Sequence, residues 1–259
     1  MEKLKFFFTD APLIILLASV RAGIVLTIVP FFGASGMPRQ ALLIVTIGVI
    51  VPMTLPTLPI GDMSVFFTAV LVLKEIFLGI LLGFFISIAF WGVEIAGELI
   101  DLQRGATAGG IFNPMLGAQE SPVGSLFLRI VSNVFFATGG FLSFFGVLFE
   151  SYYVYPVGNF LPPFVTGWQH SVFPFLTKIF QMGVLFASPL LIIFFFMDFG
   201  LGLMNRFVSQ LNVFFISLPI KSGLCFLFML FYLSYLIQGF QQDMFTGQGA
   251  AAFLRGIFQ

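Results

Sequence analysis

Long runs of apolar residues, separated by short polar turns, make up most of this chain of 259 residues. Each run is close to the roughly 20 residues that a helix needs to cross the hydrocarbon of a bilayer. The pattern predicts about six membrane-length helices, at about 12–32, 41–55, 65–91, 126–149, 175–204 and 211–240. Because Pro52, Pro56 and Pro59 crowd the end of the second run, a helix is not expected to continue through them.

The stretch Trp91–Gly124 departs from this pattern, because polar residues and glycines replace the continuous apolar run. It begins as helix, and the spacing of Glu94, Glu98 and Asp101 places three carboxylates on one face. Arg104 follows Asp101 on nearly the same face and is its expected local partner. The sequence therefore predicts an acidic helix end, partly balanced by one arginine.

A glycine-rich loop with bulky apolar side chains follows this helix, at about 105–122. Glycines break the helix and allow the backbone to move, and apolar side chains can fill a narrow passage. The residues predicted to act in this way are Gly105, Gly109, Gly110, Ile111, Phe112, Met115 and Leu116. Two hypotheses remain open on the residues alone: a mobile stopper in a pore, or a water-exposed connector whose apolar residues pack locally.

Composition places the chain among integral membrane proteins. Hydrophobic residues form 59% of it and charged residues 8%, against about 25% charged in an ordinary soluble domain. The mean hydropathy is +1.09. A formal net charge of zero gives nucleic-acid binding no support. Cys225 is the only cysteine, which excludes an internal disulfide and a metal site built from cysteines.

Charged residues inside the apolar runs are the second unusual feature. A charged side chain at the centre of a membrane helix costs about 2.5–3.5 kcal/mol, so these residues should face other helices, a partner subunit or water. Lys74 and Glu75 are adjacent and are expected to point in different directions, without neutralising each other. The predicted buried charges for subunit packing are Arg21, Lys74, Glu75, Arg129, Asp198 and Lys221. The same reasoning predicts poor stability of the chain without its partners.

The chain is expected to form a single membrane-embedded domain over 1–259, with close helix packing at Gly79 and Gly83. Basic residues fall on both sides of the alternating spans, so their distribution predicts no orientation.

Hypotheses of enzymatic activity find little support in the sequence. The GASG sequence Gly33–Gly36 matches an intramembrane serine protease pattern, but the sole histidine, His170, is expected in a polar loop. Asp198 precedes GLGL, and no second aspartate lies in a matching span for an aspartyl dyad. No phosphate-binding loop or metal-binding cluster is apparent, so no catalytic residue, cofactor or metal is expected.

Three sequence segments carry a resemblance to a known family: DLQRGAT at Asp101–Thr107, SPVG at Ser121–Gly124, and the long run Ala187–Gly223. They resemble the FliR/SctT family of inner-membrane export-gate proteins of bacterial type III secretion systems, and the resemblance covers essentially the whole chain. The motifs QRGAT and LNVFFISLPIKSG are more similar to the injectisome branch than to the flagellar branch.

The resemblance implies an all-α integral membrane protein of long helical hairpins, packed in a hetero-oligomeric export gate. Its implied partners are SctR-type and SctS-type (FliP- and FliQ-type) subunits, an SctU/FlhB-type switch protein, membrane lipid and unfolded secreted proteins. The implied location is the bacterial inner membrane, multi-pass, within the basal body of the secretion system. The hydrophobic segments need not then be six simple lipid crossings. The resemblance also implies that the loop at about 105–122 acts as a channel plug.

The root of that loop would be anchored by Glu94, Glu98 and Asp101 with Arg104, or these residues form a wet helix end outside the channel. Alternatives to the injectisome gate remain open: a flagellar paralogue of the same family, a multi-span secondary transporter, and a scaffold subunit that lines no pore.

Overall fold

The computed structural model describes residues 11–34, 38–54, 65–106, 121–159, 168–207 and 213–243, and its regular elements there are all helices. In chain order they are α1 (Ala11–Ile28), α2 (Phe31–Ala34), α3 (Arg39–Thr54), α4 (Val65–Arg104), α5 (Pro122–Ala137), α6 (Gly140–Val154), α7 (Trp168–Asn205) and α8 (Val213–Asp243). The all-helical membrane fold expected from the sequence is confirmed.

Membrane-length helices are fewer than the sequence predicts. Within the described residues, three helical stretches are long and apolar enough to cross a membrane: Phe66–Arg104, Leu176–Asn205 and Phe215–Gln241. A fourth span results if α5 and α6 together form one broken span. The apolar part of α1, Ile15–Ile28, is shorter. Three of the six predicted segments are therefore membrane-length helices, one is the broken pair α5 and α6, and the first two, α1 and α3, are shorter.

Two predicted boundaries are wrong, and the boundaries of a third segment are close to those observed. The fourth apolar run breaks into α5 and α6 because Gly139 adopts a left-handed conformation, with φ 80°, that a continuing helix does not allow. Helix α3 ends at Thr54, close to the predicted end at about residue 55, and it contains Pro52 because a proline near the last turn removes only one intrahelical hydrogen bond. Helix α7 begins at Trp168, so His170 lies in its first turn and not in a loop.

The described helices fall into two compact units with interleaved sequence. The first unit contains the described residues of Met1–Ile88 and Phe135–Phe175. The second contains those of Ala89–Val134 and Leu176–Met244, and α4 contributes residues to both. The expectation of a single domain over the whole chain stays a prediction.

The core of the first unit includes the packing of α1 on α3 and a group of phenylalanines. The Phe31 ring lies 4.6 Å from the Phe135 ring and 5.6 Å from the Phe144 ring, between centroids. All three side chains are buried. Aromatic pairs at such distances add about 0.5–1.5 kcal/mol to the stability that burial provides.

Gly79 and Gly83 lie where α4 approaches α1. A Cβ atom at Gly79 would be 3.0 Å from the main-chain oxygen of Arg21 and 3.0 Å from Cβ of Ile24. At Gly83 it would be 3.1 Å from Cβ of Ile28. Gly79 and Gly83 therefore allow α1 of the same chain to pack closely against α4. This close packing brings Arg21 near α4.

The core of the second unit is also rich in aromatic residues. Phe127 on α5 stacks on Tyr232 of α8, with ring centroids 5.8 Å apart. The Tyr232 hydroxyl donates a hydrogen bond to the main-chain oxygen of Phe186 on α7. Phe90 of α4 packs against Phe240 of α8 at 5.2 Å. Helices α4, α5, α7 and α8 therefore share one core, and this core supports the residues that flank the central loop.

Candidate functional site at the root of the central loop

Three charged residues of the first unit form one buried cluster, which we call the first-unit cluster: Arg21, Lys74 and Glu75. Arg21 makes a bidentate pair with Glu75, Nε to Oε2 at 2.7 Å and Nη2 to Oε1 at 3.0 Å. Lys74 Nζ lies 2.8 Å from Glu75 Oε1. The prediction that Lys74 and Glu75 do not neutralise each other is wrong, because the long lysine stem folds back to the neighbouring carboxylate.

The same cluster binds the end of α6 and the residues that follow it. Arg21 donates to the main-chain oxygens of Ser151 at 2.7 Å and Tyr155 at 2.9 Å. Lys74 donates to those of Val157 at 2.7 Å and Asn159 at 3.0 Å. Cations at these carbonyls are favourable, because a helix C-terminus carries partial negative charge. The first-unit cluster thus joins α1, α4 and α6 and stabilises the fold of its unit.

Asp101, in the last turn of α4, is the centre of a second arrangement. Its carboxylate is fully buried. Oδ1 accepts a hydrogen bond from Arg104 Nε at 2.5 Å, which is the local ion pair that the sequence predicts. Oδ2 accepts from the Ser121 hydroxyl at 2.5 Å and from the Val123 N–H at 2.8 Å. One carboxylate therefore joins the end of the helix before the central loop to the start of the helix after it.

Helix α4 ends here because of Gly105, which has a left-handed φ of 76°. The Gly105 N–H donates to the oxygen of Leu102 at 3.2 Å, and the Ala106 N–H to that of Asp101 at 3.0 Å. This pair of bonds is the Schellman arrangement, which favours glycine at the left-handed position. The end of the helix is therefore fixed by its own sequence.

The start of helix α5 is also fixed by its own sequence, through a capping residue. Ser121 is its N-cap residue, and the Ser121 hydroxyl oxygen accepts a hydrogen bond from the Gly124 N–H at 2.9 Å. Gly124 also lies against the backbone of α4 at Gly97, so closely that a Cβ atom at Gly97 would overlap it. Two glycines thus let α4 and α5 approach to the distance that the bonds of Asp101 require.

A second contact reaches the same helix end from α7 and α8. Lys221 Nζ donates to Asp198 Oδ2 at 2.7 Å and to the main-chain oxygen of Gln103 at 3.1 Å. The side chain of Lys221 is buried, whereas that of Asp198 is 41% exposed. The sequence did not predict a role for Gln103, because the contact uses its main-chain oxygen, which every residue type has.

The predicted acidic face does not share one environment. Asp101 is buried, Glu94 is half-buried and Glu98 is exposed. Helical spacing places the three residues on one side of α4, and Ser121 and Val123 at the start of α5 bind the side chain of Asp101. Asp101 and Arg104 therefore lie in a buried contact between the two helix ends, Glu98 does not, and the anchoring role of the four charges stays a prediction.

The predicted buried charges differ in their burial within this chain, and their packing against partner subunits stays a prediction. Arg21, Lys74, Glu75 and Lys221 are buried, but Arg129 is exposed on α5 and Asp198 is only half-buried. Five of the six form ion pairs with one another within this chain: Arg21, Lys74, Glu75, Asp198 and Lys221. The reason given for poor stability of the isolated chain, unpaired charges in its spans, is wrong for these residues.

Most of the predicted plug lies outside the described residues. Gly105 is described and forms the left-handed turn that ends α4. The remaining predicted plug residues fall in 107–120, outside the described ranges: Gly109, Gly110, Ile111, Phe112, Met115 and Leu116. The structure thus defines both ends of this segment.

The sequence is similar to one protein family and to several known proteins. Residues 13–247 match the family described as bacterial export proteins, family 1. The Yop proteins translocation protein T of Yersinia pestis is 39% identical over 174 residues, 67% of each chain. The secretion system apparatus protein SsaT of Salmonella typhimurium is 35% identical over 198 residues, 71% of this chain and 73% of the relative. The flagellar biosynthetic protein FliR of Escherichia coli is 30% identical over 171 residues, 64% and 63%.

Proposed function

The chain belongs to family 1 of the bacterial export proteins, the FliR/SctT family, and from this premise we propose that its central loop closes the channel of an export gate. The chain is a membrane protein of the type III secretion export apparatus, more similar to injectisome members than to the flagellar one. Family membership favours protein export over secondary transport of solutes and over enzymatic activity.

The observation that carries the proposal is the triple contact of the Asp101 carboxylate. Arg104, Ser121 and the Val123 N–H all bind it, and they flank the segment 107–120. A buried carboxylate with three donors holds its partners firmly, because charge-assisted hydrogen bonds are about twice as strong as neutral ones. Such a root lets the loop between its ends move without separating α4 from α5.

The sequence of the loop suits a seal. An idle export channel must stop ions and water and yet open for an unfolded chain. Apolar side chains such as Phe112 and Met115 close a narrow passage by excluding water, as hydrophobic constrictions do in channels. Gly109 and Gly110 give the backbone freedom for the loop to move aside when a substrate arrives.

Family membership implies that the chain works within an export-apparatus complex. We further propose that its neighbours are SctR-type and SctS-type subunits and an SctU/FlhB-type switch protein, in the bacterial inner membrane within the basal body. The many exposed apolar side chains of α7 and α8, such as Phe195, Phe196 and Phe231, support burial by lipid or by such subunits.

Deletion of 109–117 tests the proposal. We expect the complex to assemble, as judged by copurification of its subunits, and to leak ions, as judged by loss of membrane potential in cells that express it. The double variant Phe112→Ser with Met115→Ser should leak less strongly, because polar side chains wet the constriction.

The matched control replaces the same two residues by leucine, which keeps the constriction apolar, and it should remain ion-tight. Secretion need not fall in the deletion variant, because a substrate displaces the loop in any case. An assembled deletion complex that holds its membrane potential would reduce the loop to a connector.

A further inference from the structure

In the last turn of α4, one carbonyl accepts a hydrogen bond from a lysine of another helix. The oxygens of Asp101 and Leu102 accept hydrogen bonds from Ala106 and Gly105. The next carbonyl along, that of Gln103, accepts from Lys221 Nζ at 3.1 Å. Helix C-termini carry partial negative charge, so an ammonium group at this carbonyl is favourable in both hydrogen bonding and electrostatics.

From this contact we propose that Lys221 and Asp198 form a brace that positions the exit of the central loop, separately from Asp101. The proposal rests on the sealing function proposed above. Lys221 is the positioning residue: it holds the last turn of α4 three residues before Ala106, where the described chain stops. Asp198 holds Lys221 in place through Oδ2, at 2.7 Å.

The brace and the Asp101 contacts use different atoms and different helices. Asp101 binds groups at the start of α5, whereas Lys221 on α8 and Asp198 on α7 bind the Gln103 carbonyl. The Gln103 side-chain amide also approaches Asp198 Oδ2, at 3.4 Å. The loop exit is therefore held from two sides, and loss of one hold leaves the other in place.

Exposure distinguishes the two members of the brace. The side chain of Lys221 is 8% exposed and that of Asp198 is 41% exposed. Asp198 Oδ1 takes no hydrogen bond from any residue that the structure describes. Solvent reaches a half-exposed carboxylate, so loss of Lys221 leaves no deeply buried charge behind. Replacing Lys221 by an apolar residue of similar length should then release the helix end without unfolding the unit.

A cysteine at the loop exit reports on the brace directly. The single native cysteine, buried Cys225, is replaced by alanine, and Ala106→Cys is introduced in the full chain within the assembled complex. We expect Lys221→Met to raise the rate of maleimide labelling at residue 106 by about tenfold, since fraying of the last turn exposes it. Lys221→Arg, which keeps a cation at this place, should change the rate no more than about twofold.

Two further variants make the outcome decisive. Asp198→Asn keeps the Lys221 to Gln103 bond but weakens its support, so its labelling rate should lie between those of the parent and Lys221→Met. Arg206→Gln is the matched control, because it removes a positive charge from the exposed end of α7 and leaves Gln103 untouched. If Lys221→Met does not assemble, Asp198→Asn carries the test.

An unchanged rate in Lys221→Met, or in Asp198→Asn where that variant carries the test, would overturn the brace. A rise in Lys221→Arg as large as in Lys221→Met would assign the effect to packing and would also overturn it. The labelling rate is independent of ion leak. An ion-tight loop deletion combined with a tenfold rise in labelling would reject the seal and keep the brace, whereas a leaky deletion with unchanged labelling would do the reverse.

Discussion

The two units of this protein each bury an arginine–carboxylate pair, and the pairs differ in what they hold. In the first unit, Arg21 pairs with Glu75 and also donates to the main-chain carbonyls of Ser151 and Tyr155, in a continuous part of the chain. In the second, Asp101 and Arg104 stand at the exit of a loop and bind Ser121 at its return. The first-unit cluster stabilises the fold of its own unit, whereas the Asp101–Arg104 pair joins the two helix ends that flank the central loop.

The difference shows in how the charges are satisfied. In the first-unit cluster, Lys74 and Arg21 share one carboxylate and direct their remaining donors to carbonyl oxygens, far from solvent. The second unit contains the buried Asp101 but also a more exposed pair, in which the half-exposed Asp198 supports Lys221 through one oxygen. A fully satisfied buried network makes a rigid core, whereas a partly exposed one yields more readily. Stability variants should therefore act mainly on the first unit, and gating variants on the second.

The largest effect should come from Glu75→Gln, which leaves Arg21 and Lys74 buried without a carboxylate. We expect the free energy of unfolding to fall by about 3–5 kcal/mol, because an uncompensated buried charge is strongly destabilising. Denaturant unfolding in detergent micelles measures it. Glu150→Gln is the control, since this half-buried carboxylate of the same unit makes no ion pair among the described residues. Equal losses in both variants would remove the distinction drawn for the first-unit cluster.

A smaller loss of stability, with a functional consequence, is expected for Asp101→Asn. The neutral amide keeps one acceptor oxygen and turns its NH₂ group either towards Arg104 or towards the donors of Ser121 and Val123, which should cost about 1–3 kcal/mol. The complex should assemble and leak ions, as membrane-potential measurements would show. Glu98→Gln, on an exposed side chain of the same helix, should stay ion-tight. An ion-tight Asp101→Asn complex would mean that the root does not control the seal.

The smallest effect concerns the helix contact that brings Arg21 to Glu75. Alanine at Gly79 would place Cβ 3.0 Å from the Arg21 carbonyl, so α1 must shift, and we expect a net loss of about 1 kcal/mol because overpacking outweighs the gain in helix propensity. Gly146→Ala is the control of opposite sign, since nothing lies within 4 Å of a Cβ there. Melting temperatures of the two purified variants should therefore move in opposite directions.

Much of this architecture follows from the sequence alone. Apolar runs of membrane length determine the helical class, and QRGAT with SPVG marks the place of the loop. The capping signals are local as well: Gly105 after the last turn of α4 and Ser121 before the first turn of α5. The pair Asp101–Arg104 is also local, because residues three apart on a helix are neighbours.

Only the tertiary structure decided which charges meet at longer range. Arg21 and Glu75 are 54 residues apart, and Lys221 and the Gln103 carbonyl are 118 apart. Periodicity shows which face a side chain occupies on its own helix, but it does not show which helix covers that face. The pairing of buried charges depends on that cover, because a charge in an apolar interior is stable only where packing places an opposite charge or a free carbonyl within reach.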